Sequence, residues 1–328
     1  MAKKDSVVLN IFKIFGNGLK LYFLNFETFF KYMAFPVFGQ IIGATLIFFA
    51  SYIFTIYVSD LTTKSPIFDN IPIVFLVLIV LTLPGFFIFC KAFWEFIISY
   101  ASLNSMASSL LEGAKLDDTG LHAELIKRRT FSYIFFLLLI SIIYLVLLFP
   151  ILWGLLAIVF VYLALSFQVF ALEEDKSAVG AIKVAINLVK YNFWRTALLL
   201  VILGVATYWI VPGLICWGVE TSNLCGIFSY PVEKYVQMLP INDLNNLFAQ
   251  YNIPLVLKSY EIAKSIVLST VSFAIIAFCL PLRCICCTAL YKELIKKNYA
   301  GKIAAEKLAD RAKIAKSKKN KNSKDDEN

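Results

Sequence analysis

The sequence predicts an all-α polytopic membrane protein, six transmembrane helices with cytoplasmic interfacial amphipathic helices, and three observations carry that prediction. Six apolar runs fall at about 34–58, 71–90, 131–149, 151–171, 196–218 and 265–290. Each is long enough for a helix rising 1.5 Å per residue to cross a hydrocarbon core of roughly 30 Å. Hydrophobic residues make up 60% of the 328 and charged residues 16%, against about 25% charged in soluble domains. No water-soluble core could take in so much apolar surface. The charges are also sorted by segment. With the N-terminus inside, segments 1–33, 91–130, 172–195 and 283–328 hold 27 of the 31 Lys and Arg, leaving Lys64, Lys234, Lys258 and Lys264 for segments 59–70 and 219–264. That is the asymmetry of the positive-inside rule, and it puts both termini in the cytoplasm. Membrane sidedness thus accounts for the net charge of +9 without a nucleic-acid partner.

Residues 1–33 read as an N-terminal interfacial amphipathic helix. Lys13-x3-Asn17-x2-Lys20 keeps three polar residues on one helical stripe, extended by Asn10, Glu27 and Lys31. Lys13 and Lys20 also interrupt any leader-like apolar stretch after Lys3 and Lys4, so no cleavable signal is expected. The six-helix transmembrane domain occupies 34–291. Its third and fourth runs meet at Pro150, which predicts a tight helical hairpin; fusing them would give one helix of about 41 residues, too long for a bilayer. Between the fourth and fifth runs the stripe returns as Lys183-x3-Asn187-x2-Lys190. Asn25-Phe26 and Asn192-Phe193 follow the two copies, and 112–130, ending in Lys127-Arg128-Arg129, resembles a diverged third. Either chance in a Lys- and Asn-rich chain or an ancient repeat, an interfacial helix feeding a two-helix hairpin, fits this pattern. In segment 219–264, Ile241, Leu244, Leu247, Phe248 and Tyr251 recur at three and four residues and predict a helix packed on the outer surface. Residues 292–328 form a basic cytoplasmic tail, partly disordered, whose lysines favour an anionic leaflet.

Reactive constellations are scarce. His122, with Asp118 four residues before it, falls short of a zinc site and reads as a solvated surface residue. Lys91 and Glu95 form an expected i,i+4 pair at the interface. Arg283 stands near the end of the last run and is expected to snorkel to head groups. Around it Cys279, Cys284, Cys286 and Cys287 read as apolar filler. Cys216 and Cys225 flank the outer end of the fifth run, where a disulfide is permitted. Gly43, Gly154, Gly204, Pro212 and Gly213 could break helices.

One stretch carries a resemblance. Residues 100 to 218 run through Glu112-Gly113, a short charged helix, a span, Pro150, a second span, the acidic turn Glu173 to Asp175, and an Ala-rich amphipathic helix from Ala178 to Lys190. This resembles the membrane domain of the glycerophosphodiester phosphodiesterase family and the related YciC-like bacterial inner-membrane proteins. The likeness implies a bacterial cytoplasmic membrane location and a membrane part without assigned activity. It departs from the family where Pro-Gly is Pro150-Ile151, and the catalytic domain with its paired histidines is absent from a chain holding one His.

No catalytic, cofactor-binding or metal site is therefore expected. The positions singled out as lipid head-group contacts are Lys13, Asn17, Lys20, Lys183, Asn187 and Lys190. The expected partners are membrane lipids of the anionic inner leaflet, with a protein partner or a second copy open. Two functions remain: a non-enzymatic bundle organising lipid or partner proteins, and a transporter or permease subunit for a small or lipid-like solute.

Overall fold

A computed structural model describes residues 2–64, 70–116 and 118–298, and among these every regular element is a helix. α1 (Ala2–Leu24) turns at Asn25 into α2 (Phe26–Lys64), which pairs with α3 (Ile71–Leu111). A short α4 (Thr119–Arg128) feeds α5 (Thr130–Leu147). At Pro150 a single 3₁₀ turn, Pro150–Leu152, reverses the chain into α6 (Trp153–Leu163) and α7 (Ser166–Leu172), and the Trp153 indole donates to the Leu148 carbonyl at 3.0 Å across the reversal. α8 (Ala178–Lys190) then feeds α9 (Phe193–Gly204), a π turn (Val205–Ile210) and α10 (Val211–Thr221). The π turn has a local cause: Pro212 lacks the N–H that would bond the Tyr208 carbonyl, so the helix re-registers ahead of it. α11 (Leu224–Val236), α12 (Ile241–Gln250) and α13 (Ser259–Phe278) follow; after a turn at Cys279 the last helix resumes as α14, residues 280–298.

Among the described residues, six helical stretches are long and apolar enough to cross a membrane: Phe26–Val58, Ile71–Leu111, Thr130–Leu147, Pro150–Leu172, Phe193–Thr221 and Ser259–Asn298. They overlap the six predicted runs. The basic tail beyond residue 298 and the centre of segment 59–70 lie outside the described residues.

The core sits at one end, here called the basic end. It is built from Ile11, Ile14 and Tyr22 of α1, Phe29 and Met33 of α2, the stretch Ile98–Leu110 of α3, Tyr133 and Phe136 of α5, most of α7 and α8, and the length of α14. Away from it the spans splay. Only 6% of the most apolar stretch of α3 is buried within the protein, so the remainder is left for lipid. At 41 residues α3 is about 60 Å long, twice the hydrocarbon thickness. Its second half continues the helix past the apolar run, as the Lys91–Glu95 spacing implied, and carries the core. Small residues there (Ser99, Ala101, Ser102, Ala107) let neighbouring helices approach closely.

The three helices that precede the hairpins, α4, α8 and α1, pack on this core. The end of α3 packs on α4, α7 packs on α8, and α14 packs on α1, where Gly18 lies against the Cys286 thiol. Each short helix then kinks into a span. Asn25 donates to the Leu21 carbonyl at 3.0 Å and Asn192 to the Leu188 carbonyl at 3.2 Å, so the two junctions are built alike. In each hairpin the start of the first span is tied to the end of the second: Tyr32 to Ser102, Arg129 to the Phe170 carbonyl, and Arg195 to Glu293.

Glycine packing corrects one expectation. Gly43 breaks no helix; a Cβ there would meet the Phe89 nitrogen at 2.6 Å and the Gly85 carbonyl at 2.8 Å, and one at Gly85 would meet the Gly43 carbonyl at 2.8 Å. With Gly39 against Ala92, the Gly39-x3-Gly43 face lets α2 and α3 touch backbone to backbone. Gly154, Gly204 and Gly213 face open space.

Candidate functional site

The six residues singled out from the sequence form two stripes on separate helices. In α1 the buried face is Ile11, Ile14, Gly18 and Tyr22, and Lys13, Asn17 and Lys20 are exposed opposite it. Between the two lies a third face, Leu9, Phe12 and Phe23, exposed at 60%, 55% and 67%. α8 repeats the order: Ala181, Ala185 and Leu188 are buried, Val179 and Ile186 are exposed, and Lys183, Asn187 and Lys190 are exposed beside them. The apolar surface that was expected to face lipid is thus divided, one strip packed on the bundle and one left bare beside the lysines. None of these four lysines makes an ion pair among the described residues; Lys190 lies 5.8 Å from the Tyr191 ring centroid.

A cavity of about 350 Å³ opens between α2 and α3, lined by Tyr32, Phe35, Pro36, Lys91, Glu95 and Ser99. It exists because the two helices touch on either side of it, at Gly39 against Ala92 and where Tyr32 meets Ser102 at 2.5 Å. The expected Lys91–Glu95 pair does not form. Glu95 instead takes a hydrogen-bonded ion pair with Lys127 at 3.1 Å, because α4 folds back along α3, and Lys91 sits 5.6 Å from the Phe35 ring centroid. Sequence spacing could show the Lys91–Glu95 separation but not the arrival of Lys127.

Arg283 does not snorkel outward. Its guanidinium lies 4.5 Å from the centre of the Tyr208 ring, bonds the Tyr208 hydroxyl, and donates to the Ile276 carbonyl at 3.0 Å. Among the described residues it has no carboxylate partner, and its Nε is buried without an acceptor. Cys279, Cys284, Cys286 and Cys287 are all buried thiols, three of them in the core. Cys216 and Cys225 are free thiols rather than a disulfide. Among the described residues no three of His, Cys, Asp and Glu come together in a way that could hold a metal ion. α12 forms where the periodicity put it, but only Ile241 is buried; Leu244, Leu247 and Tyr251 are exposed rather than packed on the bundle.

His122 is half-buried, not solvated, and shares a 2.9 Å hydrogen bond with Ser105 that joins α4 to α3. Asp118 serves as the α4 cap, accepting from Gly120 and Leu121. Burial lowers the His122 pKa below its usual 6.5, and the Asp118 charge offsets this in part. Since the folded-state value is the lower one, folding favours the neutral ring: its contribution is full above pH 6.5 and is lost as the pH falls through that value toward the folded one. Amide exchange in 119–128, corrected for intrinsic rates, is therefore expected to be faster at about pH 5.5 than at about pH 7.5, and His122→Asn should remove the difference.

Fold and exposed faces together define a six-span helical membrane protein whose packed end carries cationic stripes and an interhelical cavity. No family model, curated protein or solved structure matches the chain.

Proposed function

We propose that this chain is a non-enzymatic integral membrane protein of the bacterial cytoplasmic membrane, both termini inside, whose basic end organises anionic lipid of the inner leaflet. One observation carries the reading. On both α1 and α8 an exposed apolar strip runs beside exposed lysines that no carboxylate among the described residues neutralises. A helix so divided suits the plane of the interface, its apolar strip at the acyl boundary and its cations among head groups. Each such lysine favours an anionic surface by about 1 kcal/mol. The likeness of residues 100 to 218 to the membrane domain of the phosphodiesterase family and the YciC-like proteins belongs to the same proposal, as does the absence of an enzymatic role.

The test replaces Lys13, Lys20, Lys183 and Lys190 with Glu and extracts protein and surrounding lipid together in polymer-bounded discs. Loss of anionic-lipid enrichment in the variant is expected, with weaker membrane assembly. Wild-type enrichment and abundance in the variant would contradict the reading. The permease reading draws on Arg283, a cation inside the last span without a counter-charge among the described residues, as intramembrane ionisable groups commonly mark solute paths. It predicts solute flux across vesicles that Arg283→Gln abolishes.

A further inference from the structure

We propose that the α2–α3 cavity is a binding site for the phosphate-bearing head group of a glycerophospholipid, with Lys91 holding the phosphate. This rests on the lipid-organising reading above and names a ligand and a site separate from the lysine stripes.

The charge of the cavity is one-sided. Among the described residues Glu95 is the one acid lining it, and Lys127 neutralises that carboxylate at 3.1 Å. Lys91 makes no ion pair among the described residues, so the cavity as a whole retains a cation. An ammonium has three donors and no acceptor, and the Phe35 ring it lies beside satisfies none of them as an oxyanion would. Ser99 on α3 and, facing it from α2, the Tyr32 hydroxyl, which bonds Ser102, add polar groups to the lining.

Position selects a lipid over a free anion. Lys91 directly follows the apolar run 71–90, at the level where phosphates meet the hydrocarbon. Phe35, 45% exposed among the lining residues, gives acyl chains an apolar edge, while Gly39 against Ala92 brings the helices together on the side of the hydrocarbon. A volume of about 350 Å³ admits a glycerophosphate head but not the chains, which must lie along the exposed faces of α2 and α3.

Native mass spectrometry of the purified full chain, titrated with short-chain phosphatidylglycerol, short-chain diacylglycerol or inorganic phosphate, tests the proposal. One phosphatidylglycerol is expected to bind per chain, with Lys91→Gln weakening it about 10-fold, Lys91→Arg restoring most of it, and the four-lysine stripe variant leaving it intact. Lys91 is exposed, so neither substitution threatens the fold. Equal binding of diacylglycerol, or an unaffected Lys91→Gln variant, would overturn phosphate recognition. Inorganic phosphate binding as tightly as the lipid would overturn the lipid source. If the stripe variant loses anionic-lipid enrichment in discs while Lys91→Gln leaves this titration unchanged, the cavity assignment alone fails. If enrichment persists in the stripe variant while phosphatidylglycerol binds through Lys91, the stripe reading alone fails.

Discussion

Removing one partner of the Arg195–Glu293 pair should unfasten the basic end. Arg195 is 6% exposed, and the Glu293 carboxylate that it bonds also accepts from Asn10 at 3.1 Å, so one acid ties α9, α14 and α1 together. Arg195 Nε is already buried without an acceptor. With Glu293 replaced by Ala, a guanidinium taken out of water would have no counter-charge, and breaking a buried pair in this way costs about 3–5 kcal/mol. The expected result is a fall in the thermal unfolding midpoint in mild detergent, with faster proteolysis of α1 as its hold on α14 loosens. Double replacement of Arg195 and Glu293 by Met and Leu should recover much of the loss, because the charge then leaves together with its partner. A single variant as stable as the wild type would mean that the basic end is held by its apolar contacts alone.

Gly43→Leu should have an effect of similar size by a different route. A Cβ at this position already falls within 2.8 Å of α3 backbone, and backbone cannot swing aside as a flexible side chain can. The helices must separate, giving up the Gly39–Ala92 and Gly43–Gly85 contacts beside the cavity. Overpacking typically costs about 1–3 kcal/mol, and a clash with backbone belongs at or above the upper end of that range. Loss of the folded protein from membranes is expected. Gly154→Leu, where a side chain meets nothing, should be tolerated. Equal abundance of the Gly43 and wild-type chains would argue against backbone-to-backbone packing of α2 on α3.

What could be read from the sequence divides along a physical line. The spans were legible because roughly 20 apolar residues in a row leave a chain few alternatives, and Pro150 marked the hairpin because a missing N–H acts locally. The lysine stripes of α1 and α8 were legible too, since helical spacing alone sets which side chains share a face. The packed end was not. Residues 97–111, with Ser99, Ser102, Asn104 and Ser105, carry no local mark of burial, yet they continue α3 into the core, with the Asn104 side-chain oxygen accepting from the Gln168 amide at 3.0 Å. Pairings such as Arg195 with Glu293 join residues 98 apart and leave no trace in local spacing. The cavity is hidden for the same reason, because Tyr32 and Phe35 meet Lys91 and Ser99 only once Gly39 and Gly43 have let the helices close. Gly43 was a sequence signal here, and as a helix-breaking glycine it pointed to the wrong consequence; its partner Gly39 shows its part only in the packing.

The most direct test of the lipid-organising role is the lipid content of the full chain cut from its own membrane in polymer-bounded discs, set against the bulk membrane. Acidic phospholipid enriched about two-fold or more, with one molecule per chain surviving into native mass spectrometry, is the predicted result. Lipid in bulk proportion around a stoichiometric second polypeptide would contradict it and move the function from lipid to a protein partner.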